Sequence, residues 1–449
     1  MTAPAASSGL ARRLGAWDLT LLVLGGVIGG GIFLTPSTIA RQLPSAPWIL
    51  GVWIAGGVLT IAGGLVFAEI GAMFPEAGGT YAYLREAYGG FTAFLYGWIA
   101  CFVIETGAMA AVAVGLAEYL GVFVPRVGVG VRAFSIGPVA VSTGQLVAIA
   151  AVLTLSATHY VGIREGVRIQ GVFTAMILVA MVALTFGGLF FHGSVTPSPA
   201  GPVRPAVLGS VMIAVLWTYY GWNEALTASG EVSRPQRNIP MGLLVGAGAA
   251  TLLYVGVNFA FLRVMSVSEL AQTTRPAQLA SARLFGPGAT LLISAAIVAM
   301  AIGCTSASAV PGARIAYALG RDGLLPGAFG RAHPRFHTPA FALVVEAAWT
   351  SLLCLSGRYD QLYTYTTFAV ILAYVAAGTS IFVFRKRLPD APRPYRCWGY
   401  PWVPLLFIAS SALVAAATLH DQPRETLAGI VILLTGIPVY FFMRRKGRA

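Results

Sequence analysis

Charged residues are scarce in this 449-residue chain. Asp, Glu, Lys and Arg make up 10% of it, whereas a soluble protein of this size carries about a quarter. The four cysteines, at positions 101, 304, 354 and 397, lie far apart and form no CxxC or Cys/His spacing. This spacing argues against a disulfide scaffold and a zinc site. The scarcity of charge argues against an ordinary soluble or disordered chain.

What the chain has instead is long apolar runs. Hydrophobic residues make up 57% of it, and its mean hydropathy is +0.77. A helix needs about 20 apolar residues to cross a bilayer, so each long uncharged stretch predicts one crossing. Eleven such stretches, and a twelfth interrupted only by Glu346, lie at 19–40, 42–68, 87–104, 133–163, 169–203, 205–223, 238–262, 284–313, 338–356, 361–384, 397–420 and 426–443. The predicted fold class is therefore an all-α integral membrane protein with twelve transmembrane helices.

The positive charges predict the orientation. With twelve spans both termini lie on one side, and the loops on that side hold twenty of the 29 Lys and Arg residues, against nine on the other side. Cytoplasmic loops carry the excess of positive charge, so we expect a multi-pass protein of the cell membrane with both termini cytoplasmic. Because the basic residues are spread over loops, nucleic-acid binding is not expected. No Walker loop or GxSxG motif occurs, so neither an enzyme nor a cofactor is expected.

The first apolar stretch contains five glycines among positions 25–31. Each glycine in a helix interior costs about 1 kcal/mol relative to alanine, so Gly29, Gly30 and Gly31 in succession favour an unwound segment. Non-helical backbone is tolerated in a bilayer only where it is enclosed by protein. Close helix packing through the GxxxG pairs is the alternative. The adjacent triplet favours a functional break.

A second irregularity lies in the sixth stretch, where Trp217 to Glu224 place polar groups and Gly221 at membrane depth. The first and sixth stretches hold matching places in two five-helix halves, 1–191 and 206–384, with 385–449 carrying two accessory helices. Five is an odd number, so the second half enters from the opposite face and the halves form an inverted repeat. Paired interruptions of this kind indicate a transporter's substrate site.

Such a site suits a zwitterion, because helix ends at a break expose unpaired N–H and C=O groups. We expect a carboxylate on the N–H groups of Gly29, Gly30 and Gly31, and we expect Gly221 in the sixth-stretch break to belong to the substrate site as well. We expect an ammonium group on the carbonyls of Val27, Ile28, Trp217 and Tyr220. The aromatic residues that shape the side-chain pocket are then Phe33, Trp217, Tyr219, Tyr220 and Trp222. An aromatic belt at the membrane interface is the alternative for these rings.

The chain resembles the amino acid–polyamine–organocation (APC) superfamily, and within it the L-amino acid transporter-like branch. The similarity rests on motifs that occur in order along nearly the whole chain: Gly25 to Phe33, Ala68 to Gly71, Pro75 to Arg85, Tyr219 to Asn223, Gly230 to Pro240, Arg321 to Pro326 and Ala391 to Tyr395. The resemblance implies a five-plus-five inverted repeat with discontinuous first and sixth helices. It also implies amino acid transport by alternating access.

Three departures from the family pattern bear on function. Gly30 stands where many relatives have Ser or Thr, so a hydroxyl contact to the substrate carboxylate is missing. Ile177 stands where several relatives have a lysine linked to proton coupling or to replacing sodium, which argues against a lysine-based proton mechanism. Loop 120–143 contains no cysteine, so the disulfide that animal relatives form with a heavy chain is not expected there.

Polar residues inside the spans are further candidates. Glu105 and Glu224 are candidates for gating or proton coupling, and Glu224 also for contact with the substrate amine; neutral, hydrogen-bonded packing is the alternative. Glu346 is a weaker candidate, and Glu69 is expected to be structural or part of a gate. By resemblance to sodium-coupled relatives, the eighth-stretch hydroxyls are weak sodium candidates, with bonds to their own helix as the alternative: Thr305, Ser306 and Ser308.

Together these features predict a secondary active transporter of small, neutral L-amino acids that works by alternating access. A transporter of another amine or organocation, such as a polyamine, is the first alternative, and an ion channel is the second. The coupling ion, proton or sodium, and the choice between exchange and symport stay open.

Overall fold

The structure is a computed structural model that describes residues 13–75, 79–128, 130–136, 139–161, 166–193, 202–205, 207–356 and 359–446. Residues 136, 139, 166–174 and 446 are described by their backbone only. Parts of several predicted segments therefore lie outside the described residues: 76–78 of the motif after the second stretch, 137–138 and 162–163 of the fourth stretch, 194–201 of the loop after the fifth, 206 of the sixth stretch, and 447–449 of the basic C-terminus.

Helices dominate the described chain. In order they are α1 (Ala16–Val27), α2 (Gly31–Ala40), α3 (Ala46–Met73), α4 (Gly79–Tyr88), α5 (Gly90–Ile99), α6 (Glu105–Leu120), α7 (Thr143–Val161), α8 (Gly166–Leu189), α9 (Val207–Thr218), α10 (Pro235–Val264), α11 (Val267–Gln272), α12 (Pro276–Phe285), α13 (Gly288–Arg321), α14 (Ala340–Ser356), α15 (Tyr359–Arg387), α16 (Trp402–Asp421) and α17 (Pro423–Lys446). A π-helical turn (Ala100–Ile104) joins α5 to α6, and a 3₁₀ helix (Glu224–Glu231) follows α9. Strands β1 (Arg132–Ile136) and β2 (Val139–Ser142) form an antiparallel hairpin.

The helices make this a multi-pass membrane protein. Within the described ranges, eight helical segments are long and apolar enough to cross a bilayer, and α1 with α2 form a ninth span bent by 49°. Three shorter apolar helices are residues 175–189 of α8, α9 and α14. Each of these twelve segments overlaps one of the twelve predicted stretches. The count of twelve stays a prediction, because α9, with 12 residues, and α14, with 17, are shorter than a full crossing.

The third span lies at the centre of the bundle. The most apolar window of Gly90–Leu120 is 94% buried, whereas those of α7 and α17 are 22% buried. Apolar surface left exposed on α7 and α17 is what a lipid environment requires. Around this centre, α10 packs against α1, α3 and α8, and α13 packs against α6 and α8.

The boundaries of several predicted stretches differ from those of the helices. The uncharged stretch 87–104 covers only part of the third span, because Glu105, which was expected inside this span, is buried and the helix runs on to Leu120. The eighth, 284–313, also ends too early, because α13 runs on to Arg321. The fourth, 133–163, begins too early, because residues 133–136 and 139–142 belong to the two strands and the helix begins at Thr143. The stretches were delimited by the absence of charged residues, and this criterion does not distinguish an apolar hairpin from a helix.

Candidate substrate site at two helix breaks

The first span is broken where its glycines predict. Helix α1 ends at Val27 and α2 begins at Gly31, and between them Ile28 is extended, with φ −77° and ψ 96°. The axis turns by 49° at this point. The break leaves the last carbonyls of α1 and the first N–H groups of α2 without partners in their own helices.

The sixth span is broken as well. Helix α9 ends at Thr218, and the chain makes a turn before the 3₁₀ helix that begins at Glu224. Gly221 in this turn has φ +104°, a left-handed conformation that side chains other than glycine adopt only with strain. The glycine therefore fixes where the helix stops.

The two breaks lie against each other. A Cβ added to Gly26 would lie 2.7 Å from the Gly221 carbonyl oxygen, and one added to Gly221 would overlap the Gly26 main chain. A Cβ on Gly31 would lie 2.9 Å from Thr218 Oγ1 and 3.2 Å from its Cα. Gly26 and Gly31 are therefore packing glycines that let the two backbones cross.

The remaining glycines of the first break have more room. A Cβ added to Gly29 would meet only Cys304 Sγ, at 4.0 Å, and one on Gly30 would meet only Met300 Cε, at 3.9 Å. Both neighbours belong to α13, and both distances are ordinary van der Waals contacts. The main chain at Gly29 and Gly30 is thus accessible on the side that faces α13.

The carbonyl groups predicted to bind an ammonium group differ in their partners. Val27 O accepts a hydrogen bond from Tyr254 Oη at 2.7 Å, and Trp217 O accepts one from the Tyr220 N–H at 3.1 Å. For the carbonyls of Ile28 and Tyr220, no partner occurs among the described backbone and side-chain donors. Since a carbonyl oxygen has two lone pairs, all four can still accept a bond.

Tyr254 on α10 joins the two breaks. Its hydroxyl lies 2.7 Å from Val27 O and 3.0 Å from Thr218 O, the last residues of α1 and α9. Its ring is fully buried and packs edge-on against Tyr219 and Trp53. The single hydroxyl hydrogen thus lies within reach of orphan carbonyls of both broken helices and is donated to one of them at a time or shared between them.

The predicted pocket aromatics divide into two groups. Trp217 and Tyr220 stack with ring centroids 6.2 Å apart, and Trp217 Nε1 donates to Tyr359 Oη at 2.9 Å. Tyr219, Trp222 and Phe33 are at most 2% exposed and pack into the core. Trp217 and Tyr220 are therefore the better candidates for side-chain selection, and the other three support the breaks.

The two acidic candidates lie near Tyr220. Its hydroxyl donates to Glu105 Oε1 over 3.4 Å, and it also interacts with the Glu224 carboxyl group. Next to Glu224, Asn223 accepts a hydrogen bond from Tyr374 Oη at 2.7 Å. The second break thus joins the third and tenth spans through polar side chains, which brings Glu105 and Glu224 into one neighbourhood.

The eighth-span hydroxyls already have partners. Thr305 Oγ1 donates to Ala301 O (2.8 Å), Ser308 Oγ donates to Cys304 O (3.0 Å), and Ser306 Oγ bonds His159 Nε2 (2.8 Å). The first two bonds are the local helix bonds that Ser and Thr commonly make. Ile177, at the position of the family lysine, is fully buried among apolar side chains.

Sequence reasoning missed Tyr254, Thr218 and Tyr374. The available signal was a hydroxyl at mid-span: Tyr254 lies in the middle of the seventh apolar stretch, where an unpaired hydroxyl is costly. Its partner Val27 is 227 residues away, and no spacing pattern predicts such a distant pairing.

A mostly helical membrane protein in which two discontinuous helices face each other has the architecture of secondary transporters with a substrate site at mid-membrane. The chain matches the amino acid permease family model over residues 14–442 and belongs to this family, within the APC superfamily.

Its relatives are similar over nearly their whole length. The serine/threonine exchanger SteT of Bacillus subtilis is 30% identical, with 98% of each chain covered. The b(0,+)-type amino acid transporter 1 of Mus musculus is 28% identical over 97% of this chain and 88% of that protein. The branched-chain amino acid permease BcaP of Bacillus subtilis is also 28% identical, over 98% of this chain and 96% of that protein.

Proposed function

We propose that the protein is a secondary active transporter of small, neutral L-amino acids that works by alternating access. The observation that carries this proposal is the accessible main chain at Gly29 and Gly30, directly beside the crossing of the two broken helices. The family membership and the names of the relatives, which include a serine/threonine exchanger and a branched-chain permease, support it.

The substrate carboxylate would bind at the start of α2. The first N–H groups of a helix lack partners in their own helix and carry about half a positive charge together. Gly29, Gly30 and Gly31 would supply these groups. The Gly29 N–H faces the Tyr254 hydroxyl, whereas a Cβ added to Gly30 would meet only Met300 Cε, at 3.9 Å. An anion therefore docks there without a cationic side chain.

The substrate ammonium would bind the carbonyl ends of α1 and α9. The carbonyls of Ile28 and Tyr220 are the best acceptors, since those of Val27 and Trp217 each have one partner already. Because main-chain recognition is common to all amino acids, selectivity would come from Trp217, Tyr220 and the α13 side chains.

A neutral substrate fits the charges near the site. The acidic side chains near the breaks, within the described residues, are Glu105 and Glu224. An acidic substrate would face like charge, which disfavours it. Because these two acids would attract positive charge, basic amino acids and a polyamine are included in the uptake test described below.

The architecture that goes with this mechanism is part of the proposal. It has twelve spans, inverted halves at 1–191 and 206–384, accessory helices in 385–449, and cytoplasmic termini in the cell membrane. The loop 120–143 has no cysteine, so we propose that the protein works without a disulfide-linked heavy chain.

The test is uptake of a labelled panel into proteoliposomes: neutral, acidic and basic amino acids, and a polyamine. We compare the wild type with Gly30→Leu, whose added isobutyl group would occupy the carboxylate position. Gly51→Leu is the matched control, since Gly51 is exposed on α3 with no atom within 4 Å of an added Cβ.

We expect neutral amino acids to enter wild-type and Gly51→Leu vesicles, and uptake by Gly30→Leu to fall at least tenfold with its unfolding temperature unchanged. Undiminished uptake by Gly30→Leu contradicts the main-chain site. Preferred uptake of the polyamine, or single-channel currents in planar bilayers, would support one of the alternative functions.

A further inference from the structure

Glu346 is a buried acid with no side-chain or cationic partner among the described residues. It lies on α14 and is 6% exposed, and its carboxyl group faces the main-chain N–H of Ala313 on α13. Glu69, which is also buried, is bonded by Arg385. An unpaired carboxylate in a low-dielectric interior costs many kcal/mol, so the neutral protonated form is favoured there.

The Glu346 carboxyl group points at Gly312 on α13. A Cβ added to Gly312 would overlap Glu346 Oε1 and would lie 3.0 Å from its Cδ and 3.1 Å from Glu105 Cβ. The missing side chain at Gly312 therefore opens the space in which Glu346 approaches Glu105. Cys101 borders the same space and donates from Sγ to Gly312 O over 3.5 Å.

The π-helical turn sets the position of Glu105. The Glu105 N–H bonds to Ala100 O, five residues back, so one extra residue is inserted into the helix before it. The Phe102 carbonyl in this turn accepts bonds from Trp349 Nε1 at 2.8 Å and Tyr365 Oη at 3.0 Å. Trp349 lies three residues after Glu346, on the same face of α14. The helix that carries Glu346 thus also stabilises the turn that positions Glu105; such turns occur frequently at functional sites.

No cation neutralises this pair within the described chain. The titratable groups from the third span are Glu105, Cys101 and Tyr96. Glu224, after the sixth-span break, also faces Glu105 and adds a second negative charge when it is ionised. On α13, Arg314 is exposed, and it lies two residues from Gly312, about 200° around the helix. On α7, His159 bonds Ser306. From the sixth-span break, Tyr220 reaches Glu105.

We propose that Glu346 and Glu105 form a proton-binding site that takes up and releases one proton during the transport cycle. This rests on the proposed function and names its coupling ion. The step forms one carboxyl O–H bond with a proton from water and later breaks it, and nothing is oxidised or reduced. Sodium fits less well, because hard cations take about six oxygen ligands and Glu346 has no described oxygen partner.

The site reaches the substrate through Tyr220. The Tyr220 hydroxyl is 3.4 Å from Glu105 Oε1 and its ring stacks on Trp217 at the break. An ionised Glu105 carboxylate accepts a hydrogen bond from the Tyr220 hydroxyl. A protonated Glu105 has an O–H of its own to donate, which weakens its role as the acceptor for Tyr220. Two ionised carboxyl groups in this space would repel each other strongly. Proton occupancy therefore changes the hydrogen bonding of a residue next to the substrate.

The first experiment needs no transport. Infrared spectra of the purified protein are recorded across the physiological pH range, and we expect a protonated-carboxyl band that Glu346→Gln removes. Glu86→Gln is the control, because Glu86 is exposed and pairs only with Arg85, and it should keep the band. Gly312→Ala is a second variant, and its methyl group should displace the carboxyl group and shift the band. A band unchanged in both Glu346→Gln and Gly312→Ala overturns the proposal.

The second experiment measures coupling in proteoliposomes that contain a pH-sensitive dye. We expect the lumen to become more acidic when the wild type or Glu86→Gln takes up neutral amino acids. In Glu346→Gln, the number of protons moved per substrate molecule should fall at least tenfold. Proton movement by Glu346→Gln equal to the wild type, or wild-type uptake without protons, overturns the proposal. If no amino acid enters wild-type vesicles, the proposed function fails, and the infrared result still decides whether the proton site exists.

Discussion

Gly26 and Gly221 contact each other through their main chains, at the point where the two broken helices cross. A Cβ at either residue would overlap or crowd the backbone of the other. Gly26 lies in the last turn of α1, one residue before its end, and Gly221, with the left-handed φ of +104°, lies in the turn that follows α9. The contact therefore fixes the position of one break relative to the other, and with it the geometry of the proposed substrate site.

We expect Gly221→Ala to destabilise the protein and abolish transport. The left-handed conformation costs about 1–2 kcal/mol for a residue with a Cβ, and the overlap with Gly26 adds about 1–3 kcal/mol of overpacking. The measurement is the unfolding temperature of the purified protein in detergent, together with uptake. Gly248→Ala on α10 is the control: nothing lies within 4 Å of its added Cβ, so it should be neutral or slightly stabilising. Equal behaviour of the two variants would refute this account of the crossing.

Tyr254→Phe should weaken substrate binding while keeping the fold. The change retains the ring packing against Tyr219 and Trp53 and removes the hydroxyl that bonds Val27 O and Thr218 O. Buried carbonyls left without a partner cost about 1–3 kcal/mol, and the helix ends that carry them should become less ordered. The readouts are the apparent affinity in uptake assays and the unfolding temperature.

The control for this prediction is Tyr160→Phe. The Tyr160 hydroxyl makes no hydrogen bond in the described structure, and its ring packs against His333 and Phe336. Tyr160→Phe should therefore leave the apparent affinity for the substrate unchanged. Tyr254→Phe with wild-type affinity and stability would show that the hydroxyl does not hold the breaks together.

The sequence predicts the breaks but not what each glycine does. Three glycines in succession disfavour a helix, and a turn rich in polar groups at membrane depth needs partners, so both interruptions follow from local chemistry. The separation of Gly26 and Gly31, which pack, from Gly29 and Gly30, which are accessible, depends on contacts with Gly221, Thr218 and α13. The uncharged stretch 87–104 covers only part of the third span for a related reason, since the burial of Glu105 depends on helices distant in sequence.

A pH-dependent contribution to stability is expected from Glu269, outside the membrane. The Arg283 guanidinium, with Nη2 2.6 Å from Oε1, and the Ser266 N–H hold the pKa of Glu269 at about 2, below its ordinary value of 4.5. A lowered pKa means that the stabilisation is present above pH 4.5 and is lost as pH falls towards 2. Because the side chains are 45% and 35% exposed, the pair is worth only about 0.2–1 kcal/mol.

Glu269→Gln should therefore lower the unfolding temperature slightly at neutral pH, and the difference from the wild type should shrink with added salt and as pH falls through this window. A difference that stays constant from neutral to acidic pH would mean that the ion pair is not its cause.

Glu69 is the centre of a buried charge cluster at the end of α3. It is fully buried and accepts bonds from Arg385 Nε (2.9 Å), Arg385 Nη2 (2.7 Å) and the Cys397 N–H (2.6 Å). Arg393 Nε lies 3.7 Å away, and the Arg385 guanidinium lies 3.6 Å from the ring centre of Tyr400. One carboxylate thus joins α3, α15 and the segment before α16.

Glu69→Gln should be the most destabilising isosteric change considered for this protein. It leaves two guanidinium groups without their counter-charge, and breaking a buried pair by removing one partner costs about 3–5 kcal/mol. Arg385→Lys should cost less, since it keeps the charge and loses the two-pronged bond.

The matched control is Glu86→Gln, whose pair with Arg85 spans 3.5 Å between side chains that are 48% exposed and is worth about 0–1 kcal/mol. Unfolding temperatures in detergent give the order: Glu69→Gln lowest, Arg385→Lys between, Glu86→Gln near the wild type. If Glu69→Gln unfolds at the same temperature as Glu86→Gln, the cluster does not stabilise the junction of α3 with α15, because a fully buried carboxylate that is truly paired cannot lose its charge without cost.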